Sequence, residues 1–305
     1  MSNSEDIRQV KWRQYEEALS TLRDAVFVEE QGVPHAVTFD GSDATALHVL
    51  AELDGRPVGC GRINSEGKIG RMAVLPAYRN QGLGRRILDS LLTVAQEQSM
   101  NRVYLHAQVH ATAFYTGAGF APEGEEFSEG GLAHIKMTRD ISYAGVDRFL
   151  TGVTYPRPYD QLAVELSRTA ARHICILSPQ LDHAAFDNKD LSEALSALAR
   201  RGRQSMIRIL VMDSRAIVQR GHRLMELARR LPSSVKLHKL AEHPEWKGQT
   251  VVTRDRDGVL YKPGDSNHEC FYEPGSRAST QRHLDLFEDL WRHSAPDTEF
   301  RSLSL

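Results

Sequence analysis

Apolar positions change period several times along the chain, and each change marks an element. Continuous or alternating apolar runs occupy Ile7–Trp12, Ala46–Leu53, Pro57–Ile63, Ile69–Leu75 and Arg102–Val109, lengths that suit strands. Helical spacing runs through Tyr15–Val28, by way of Leu19, Leu22 and Val26. It returns in a longer stretch that sets Leu83, Ile87, Leu88, Leu91, Leu92 and Ala95 on one face. Ala111–Gly117 predicts a short helix, and a closing strand pair is expected around Glu125–Ser128 and Ala133–Arg139. Turn chemistry separates the runs: Gln31-Gly32-Val33-Pro34, the Asp-, Gly- and Ser-rich Phe39–Thr45, and Asp54-Gly55, a strong hairpin signal. The order is that of a mixed α/β domain covering about residues 1–140.

Residues 141–158, with Gly145, Gly152, Pro156 and Pro158, read as a linker with an edge segment. A strand–helix alternation then fills 159–305. Helices are expected at Asp160–Ala171, Leu191–Arg201, Gly221–Leu231 and Gln281–Trp291. Strands are expected at His173–Ser178, Met206–Met212, Val235–Leu240, Thr250–Arg254 and Val259–Lys262. β-branched strands alternating with helices indicate a second α/β domain, so the fold class is α/β twice over.

Bulk properties narrow the setting. A chain of 305 residues exceeds what one core usually holds, which agrees with two domains. The net charge of −2 gives no reason to expect nucleic acid or a membrane surface. No apolar run approaches the ~20 residues of a membrane span, and the N-terminus MSNSEDIRQVKW has no signal-peptide core. Cys60, Cys175 and Cys270 have no pairing or metal-ligand spacing, and no metal is expected. A cytoplasmic protein with reduced thiols is the expectation, and oligomeric state is left open.

The stretch of densest chemistry is Lys68–Leu92, where a strand meets Arg79-Asn80-Gln81-Gly82-Leu83-Gly84 and an amphipathic helix follows at once. The first N–H groups of a helix lack intrahelical partners, and the dipole is positive there. Glycines let an anion approach the backbone. A pyrophosphate held mostly by main chain fits this arrangement, with Arg79, Arg85 or Arg86 adding charge.

RNQGLG matches the acyl-CoA signature Q/R-x-x-G-x-G/A, and Ala113–Phe120 resembles A-x-x-FY-x-x-x-GF. Together with VFVEEQGVP, H-x-L-A-E-L, LHAQ and FSEGGLAHIKM, these motifs make residues 5–140 resemble the GNAT family of N-acyltransferases, in its ElaA-like branch. The resemblance implies a mixed-sheet GNAT fold and an N-acetyltransferase that moves an acetyl group from acetyl-CoA to an amine by direct attack in a ternary complex. Backbone amides of Arg79, Asn80, Gln81, Gly82, Leu83 and Gly84 would take the pyrophosphate, with Arg85 beside them. Pantetheine would pair with the free edge of Met72, Ala73 and Val74, and Tyr115 would protonate the departing thiolate. For the general base Glu30, His106, His110, Glu129 and His134 stay open, Glu30 and His134 foremost, with a water relay as another route. The amine is unidentified.

The second half resembles one phospholipase D-like repeat in the strands HICILSPQLD and RILVMD, the helix GHRLMELARRLPSSV and the closing FEDLWRHS. That family's H-x-K-x-x-x-x-D is absent: none of the 13 histidines completes it, and its nearest slot, Glu245-Trp246-Lys247 to Val252, lacks nucleophile and acid. Two other functions stay open on this evidence. One is an acyl-CoA-binding sensor without turnover, and the other a phosphodiesterase with a rearranged site around Lys247.

Overall fold

The computed structural model describes residues 4–240, 242–264, 269–297 and 300. The chain forms two compact units that divide between Ile141 and Ser142.

The first unit runs β1 (Glu5–Val10), α1 (Trp12–Arg23), a π-helical segment Asp24–Glu30, α2 (His35–Thr38), β2 (Leu47–Leu53), β3 (Arg56–Ile63) and β4 (Lys68–Val74). It continues with α3 (Leu83–Glu97), β5 (Arg102–Gln108), α4 (Thr112–Gly117), β6 (Ala121–Pro122), β7 (Phe127–Glu129) and β8 (Leu132–Asp140). Its sheet has the order β1-β2-β3-β4-β5-β8-β6, with β7 also on β8. Every pair is antiparallel except β4 and β5, whose crossover is α3.

Both faces of this sheet are covered, which is why its central strands read as nearly continuous apolar runs. On one face α1 buries Leu19 and Leu22 against Leu50, Cys60 and Ala73. On the other, α3 buries Leu83, Ile87, Leu88, Leu91, Val94 and Ala95. Val94 completes that face where the periodicity pointed to Leu92, which is half-buried. The close approach of α3 depends on two glycines of β3. A Cβ on Gly59 would stand 2.8 Å from Ile87, and one on Gly61 2.8 Å from Leu91. Trp12, expected to end the first strand, instead opens α1, and Leu75 lies beyond β4. Glu125 and Glu126 fall outside β7, in the irregular segment ahead of it.

The second unit contains β9 (Leu150–Val153), α5 (Tyr159–Arg168), β10 (His173–Leu177), α6 (His183–Phe186), α7 (Lys189–Arg201), β11 (Met206–Val211) and α8 (Arg215–Arg220). After these come α9 (Arg223–Arg230), β12 (Val235–Lys239), β13 (Thr250–Arg254), β14 (Gly258–Lys262), β15 (Cys270–Glu273) and α10 (Arg277–Arg292). The sheet order is β12-β11-β10-β13-β14-β15-β9. β10, β11 and β12 are parallel, and the remaining pairs are antiparallel. Phe287 and Leu290 of α10 pack on Cys175, Leu177, Leu210, Trp246, Val251 and Val259. The segment 141–158 is therefore more than a connector, since β9 within it is the edge of the second sheet. Trp246, in the slot where a lysine-bearing motif was sought, is a core residue, and Lys247 precedes β13 rather than lying in it. Among the described residues no helix is long and apolar enough to cross a membrane.

Candidate active site

The sheet of the first unit is broken at one place. β4 and β5 pair only at Lys68–Tyr104 and Ile69–Leu105, so the rest of β4 faces away from β5 with its edge unpaired there. The break begins beside a bulge. From Ala73 to Gly70 β4 advances three residues while β3 advances two, from Cys60 to Arg62. Arg71, within that bulge, has φ +52°. A non-glycine residue in the left-handed region costs about 1–2 kcal/mol, and such a site persists only where the surroundings over-determine it.

Those surroundings are a chain of ion pairs, buried at Arg23 and Asp43 and exposed at Asp40. Arg71 donates from Nε to the Thr38 carbonyl at 2.7 Å, and from Nη2 to Val37 O at 2.5 Å and Asp40 Oδ2 at 2.9 Å. Arg62 bridges Asp40 and Asp43. Arg23, fully buried, donates to Asp43 Oδ1 at 2.8 Å. His48 closes the network as a neutral ring: Nε2 donates to Asp43 O at 2.9 Å and Nδ1 accepts from Arg23 at 3.1 Å. Burial, with the neighbouring arginines, holds its pKa below the usual histidine value. Burial pushes both carboxyls up, but the arginines outweigh it and hold Asp40 and Asp43 below the ordinary carboxylate range. The whole assembly ties α2 and the loop after it to β3 and β4.

A cavity of about 250 Å³ opens at the break in the sheet. Phe27, Val33, Val37, Met72 and Leu105 give it apolar walls. Its polar lining includes Lys68, Arg71, His106, His110, Tyr115, Glu129 and His134. His106 Nδ1 donates to Glu129 Oε2 at 2.5 Å, which leaves Nε2 of the neutral ring as an acceptor. His134 Nδ1 lies 2.9 Å from the Leu132 carbonyl, an oxygen that can only accept, so its Nε2 also keeps a lone pair. Burial raises the Glu129 carboxyl, yet His106, Lys68 and His134 together hold it below the usual range. The Tyr115 ring packs edge-on against Phe114 and Phe120. Burial pushes its hydroxyl up to about 12, and among the described residues that hydroxyl has no hydrogen-bond partner.

In the loop leading into α3 the Arg79 amide donates to Pro76 O at 3.3 Å. Asn80 and Gly82 sit at φ +61° and +77°. Among the described residues the amides of 80–84 have no hydrogen-bond acceptor, the first bond into the helix running from Arg85 N to Gly82 O. The side chains depart from the expectation. Arg79 donates from Nη1 and Nη2 to both oxygens of Glu30, at 2.7 and 2.6 Å, and from Nε to Val74 O at 2.8 Å. Arg85 pairs with Asp89 and the Gly117 carbonyl, and Arg86 with Glu5. All three cations thus already have anionic partners.

The remaining candidates divide cleanly. Met72 lines the cavity, Ala73 points into the core beside Cys60, and Val74 lies at Gly84. Tyr115 and His134 are brought together around the cavity, with His106, His110 and Glu129. Glu30 is not among its lining residues, and hydrogen bonds from Arg79 hold its carboxyl below the ordinary range. Sequence reasoning missed Arg71, whose only signal was a basic residue inside an apolar strand. It also missed a trio in the second unit, His243, Asp289 and His293, whose ligand atoms lie within 4.8 Å of one another. The spacing of Asp289 on α10 and His293 at its C-cap was visible, but no pattern leads to His243.

Comparison with known proteins gives the class. A family model described as an acetyltransferase (GNAT) domain matches residues 13–141, and a domain of unknown function (DUF7931) matches 156–303. BSU40680 of Bacillus subtilis strain 168, named as a proposed acetyltransferase, is 39% identical over 124 residues, 39% of this chain and 84% of that protein. ElaA of Escherichia coli K12 is 35% identical over 136 residues, 42% of this chain and 88% of its own length. Its crystal structure is matched with 31% identity over 45% of this chain and 99% of that one, at a TM-score of 0.42. The chain belongs to the GNAT acetyltransferases through its first unit. It is an acyl-CoA-dependent N-acetyltransferase, and acetyl-CoA is its donor.

Proposed function

We propose that the acetyl group passes directly from acetyl-CoA to an amine in a ternary complex seated at the break between β4 and β5. One arrangement carries the reading: the edge of Met72–Val74 is turned away from β5, the unpaired amides of 80–84 follow it in the chain, and Met72 and Tyr115 line the cavity. The pyrophosphate lies on those amides, held by main chain, since the nearby arginines are engaged elsewhere. Pantetheine runs along β4. The amine nitrogen attacks the thioester carbon, the carbon–sulfur bond breaks, and Tyr115 delivers its proton to the leaving thiolate. The proton lost by the amine goes to a histidine, and His106, oriented by Glu129, is the better placed for it, with His134 as its neighbour. No cysteine or serine lines the cavity, which supports direct attack over an acyl-enzyme.

Initial-rate patterns test this reading. Intersecting lines as acetyl-CoA and amine are varied are expected, and parallel lines would replace direct attack by an acyl-enzyme route. His106→Asn is expected to lower kcat by about 10²–10⁴, and a normal rate would move the base to His134. For the second unit the phospholipase D-like reading rests on its three parallel strands and intervening helices. Without the histidine, lysine and aspartate of that chemistry, we take it as a binding scaffold.

A further inference from the structure

Arg71 is held more firmly than its chemistry in the fold requires. Its Nε and Nη2 are fixed from behind by two carbonyls and Asp40, whereas Nη1 has no partner among the described residues and is not sealed off by protein. The network that holds it, buried at Arg23 and Asp43 and exposed at Asp40, sets three arginines against two aspartates around a neutral His48, an excess of one positive charge. Lys68, three residues earlier on β4, also lines the cavity, and its ammonium stands 4.0 Å from Glu129, the only carboxylate among the lining residues. Two cations against one anion give the lining an excess of positive charge. Thr38, whose carbonyl fixes Arg71, lines the same wall and keeps its hydroxyl buried with no partner. A bulge that re-aims a side chain at a functional cavity, at the cost of a left-handed φ, is a known use of such strain.

Resting on the reading of this cavity as the acceptor site, we infer that the acceptor is a small amine carrying a carboxylate, of the amino-acid type, whose anion docks on Arg71 Nη1 beside Lys68. A guanidinium with a free, pre-oriented edge is the donor best matched to a carboxylate. The apolar walls from Phe27, Val33 and Val37 then receive the rest of the molecule, and the amine lies toward the histidines.

The test is a panel of L-amino acids, each measured beside its own amide and its decarboxylated amine, with acetyl-CoA as donor. The acid is expected to exceed both analogues in kcat/KM by at least about tenfold, the factor of ~1.4 kcal/mol that one charge-assisted hydrogen bond readily supplies. Arg71→Met should bring that ratio close to one through the acceptor KM, leaving the KM of acetyl-CoA near its starting value. Lys68→Met and Thr38→Val, milder changes should Arg71→Met fail to fold, should reduce the ratio in part. Equal use of acid and amide by the wild type, or a ratio unmoved by these variants, overturns the proposal. A rise in the KM of acetyl-CoA instead would hand Arg71 to the donor and also overturn it. Calorimetric titration of the CoA-loaded protein separates the two readings: carboxylate-selective binding without transfer defeats the catalytic reading, and transfer without carboxylate selectivity defeats this one.

Discussion

The two units solve the same packing problem and differ at one seam. Each is a mixed sheet with helices on both faces, and each contains a parallel pair whose crossover is helical. In the second unit β10 and β11 stay paired over five residues, as do β11 and β12. In the first, β4 and β5 part after two. That separation creates a strand edge with unpaired backbone groups, a cavity, and room for a thioester between them. Backbone left unpaired in a fold is costly unless something pairs with it. An interrupted ladder beside an anion-binding helix start therefore marks where a ligand completes the sheet. A continuous ladder such as β10–β12 leaves no such place, and chemistry would have to sit outside it.

The largest effect should come from the group at the centre of the break. Tyr115→Phe removes one oxygen from a ring that stays packed on Phe114 and Phe120. Loss of a general acid is worth about 10²–10⁴ in rate, so kcat should fall by that factor with the KM of acetyl-CoA nearly unchanged. Because burial pushes the hydroxyl up to about 12, it stays protonated through neutral and mildly alkaline pH. The alkaline limb of the wild-type profile should therefore lie far above pH 9. A Tyr115→Phe enzyme of normal rate would detach the seam from the chemistry.

The next effect concerns what keeps the seam open. Asp43→Asn leaves Arg23 and Arg62 without their shared carboxylate, and breaking a buried pair typically costs about 3–5 kcal/mol. Denaturant unfolding at neutral pH should show that loss in the first unit's transition, with the second unit's transition unmoved. The pH dependence follows from the sign of the shift. The folded carboxyl is held below its unfolded value, so its contribution is complete above the unfolded pKa of ~4 and is lost as pH falls through the lower, folded one. The gap between wild type and variant should therefore be constant from pH 7 to about 5 and narrow below 4. A gap that widens on acidification would mean the carboxyl is protonated in the fold.

Glycine at the helix start separates fold from affinity. A Cβ on Gly84 would meet Phe114 and Val74 at 3.8 Å, ordinary contact, so the fold tolerates alanine there. Gly84→Ala should raise helix stability by up to ~1 kcal/mol. It should also raise the KM of acetyl-CoA about three- to tenfold, by standing between the amides and a phosphate. If both quantities improve, the pyrophosphate lies elsewhere.

The strand, loop and helix of Lys68–Leu92 were legible in the sequence because they are local. A strand, a glycine-bearing turn and an amphipathic helix follow one another within 25 residues of Lys68–Leu92, and Gly82 and Gly84 are recognisable by type. The cavity is lined by Phe27, Thr38, Arg71, His106 and Glu129, which are remote in sequence and come from the π-helical segment, α2, β4, β5 and β7. Arg71 was invisible because a bulge cannot be counted from one strand alone. The partners of Arg79 and Arg85 were hidden for a related reason: composition reveals a cation but not that Glu30 or Asp89 faces it. Strand β15 escaped notice as a four-residue element with little periodicity to detect, whereas β9 lies within the edge segment expected in 141–158.

Glu30 offers the smallest effect and the sharpest contrast between the two kinds of evidence. On sequence it is, with His134, foremost among five open candidates for the base. In the structure both of its oxygens accept from Arg79, at an exposed surface, and its carboxyl is held below the usual range by those hydrogen bonds. A base must be able to take a proton, and a lowered pKa works against that. Exposed ion pairs are worth about 0–1 kcal/mol, so Glu30→Gln should alter kcat less than about fivefold. Freed from its partner, Arg79 lies beside the amides of 80–84, and the KM of acetyl-CoA should stay level or fall slightly, more so at low salt. A loss of a hundredfold or more in kcat, with an acidic limb that vanishes, would return Glu30 to the catalytic centre and displace the histidines from it.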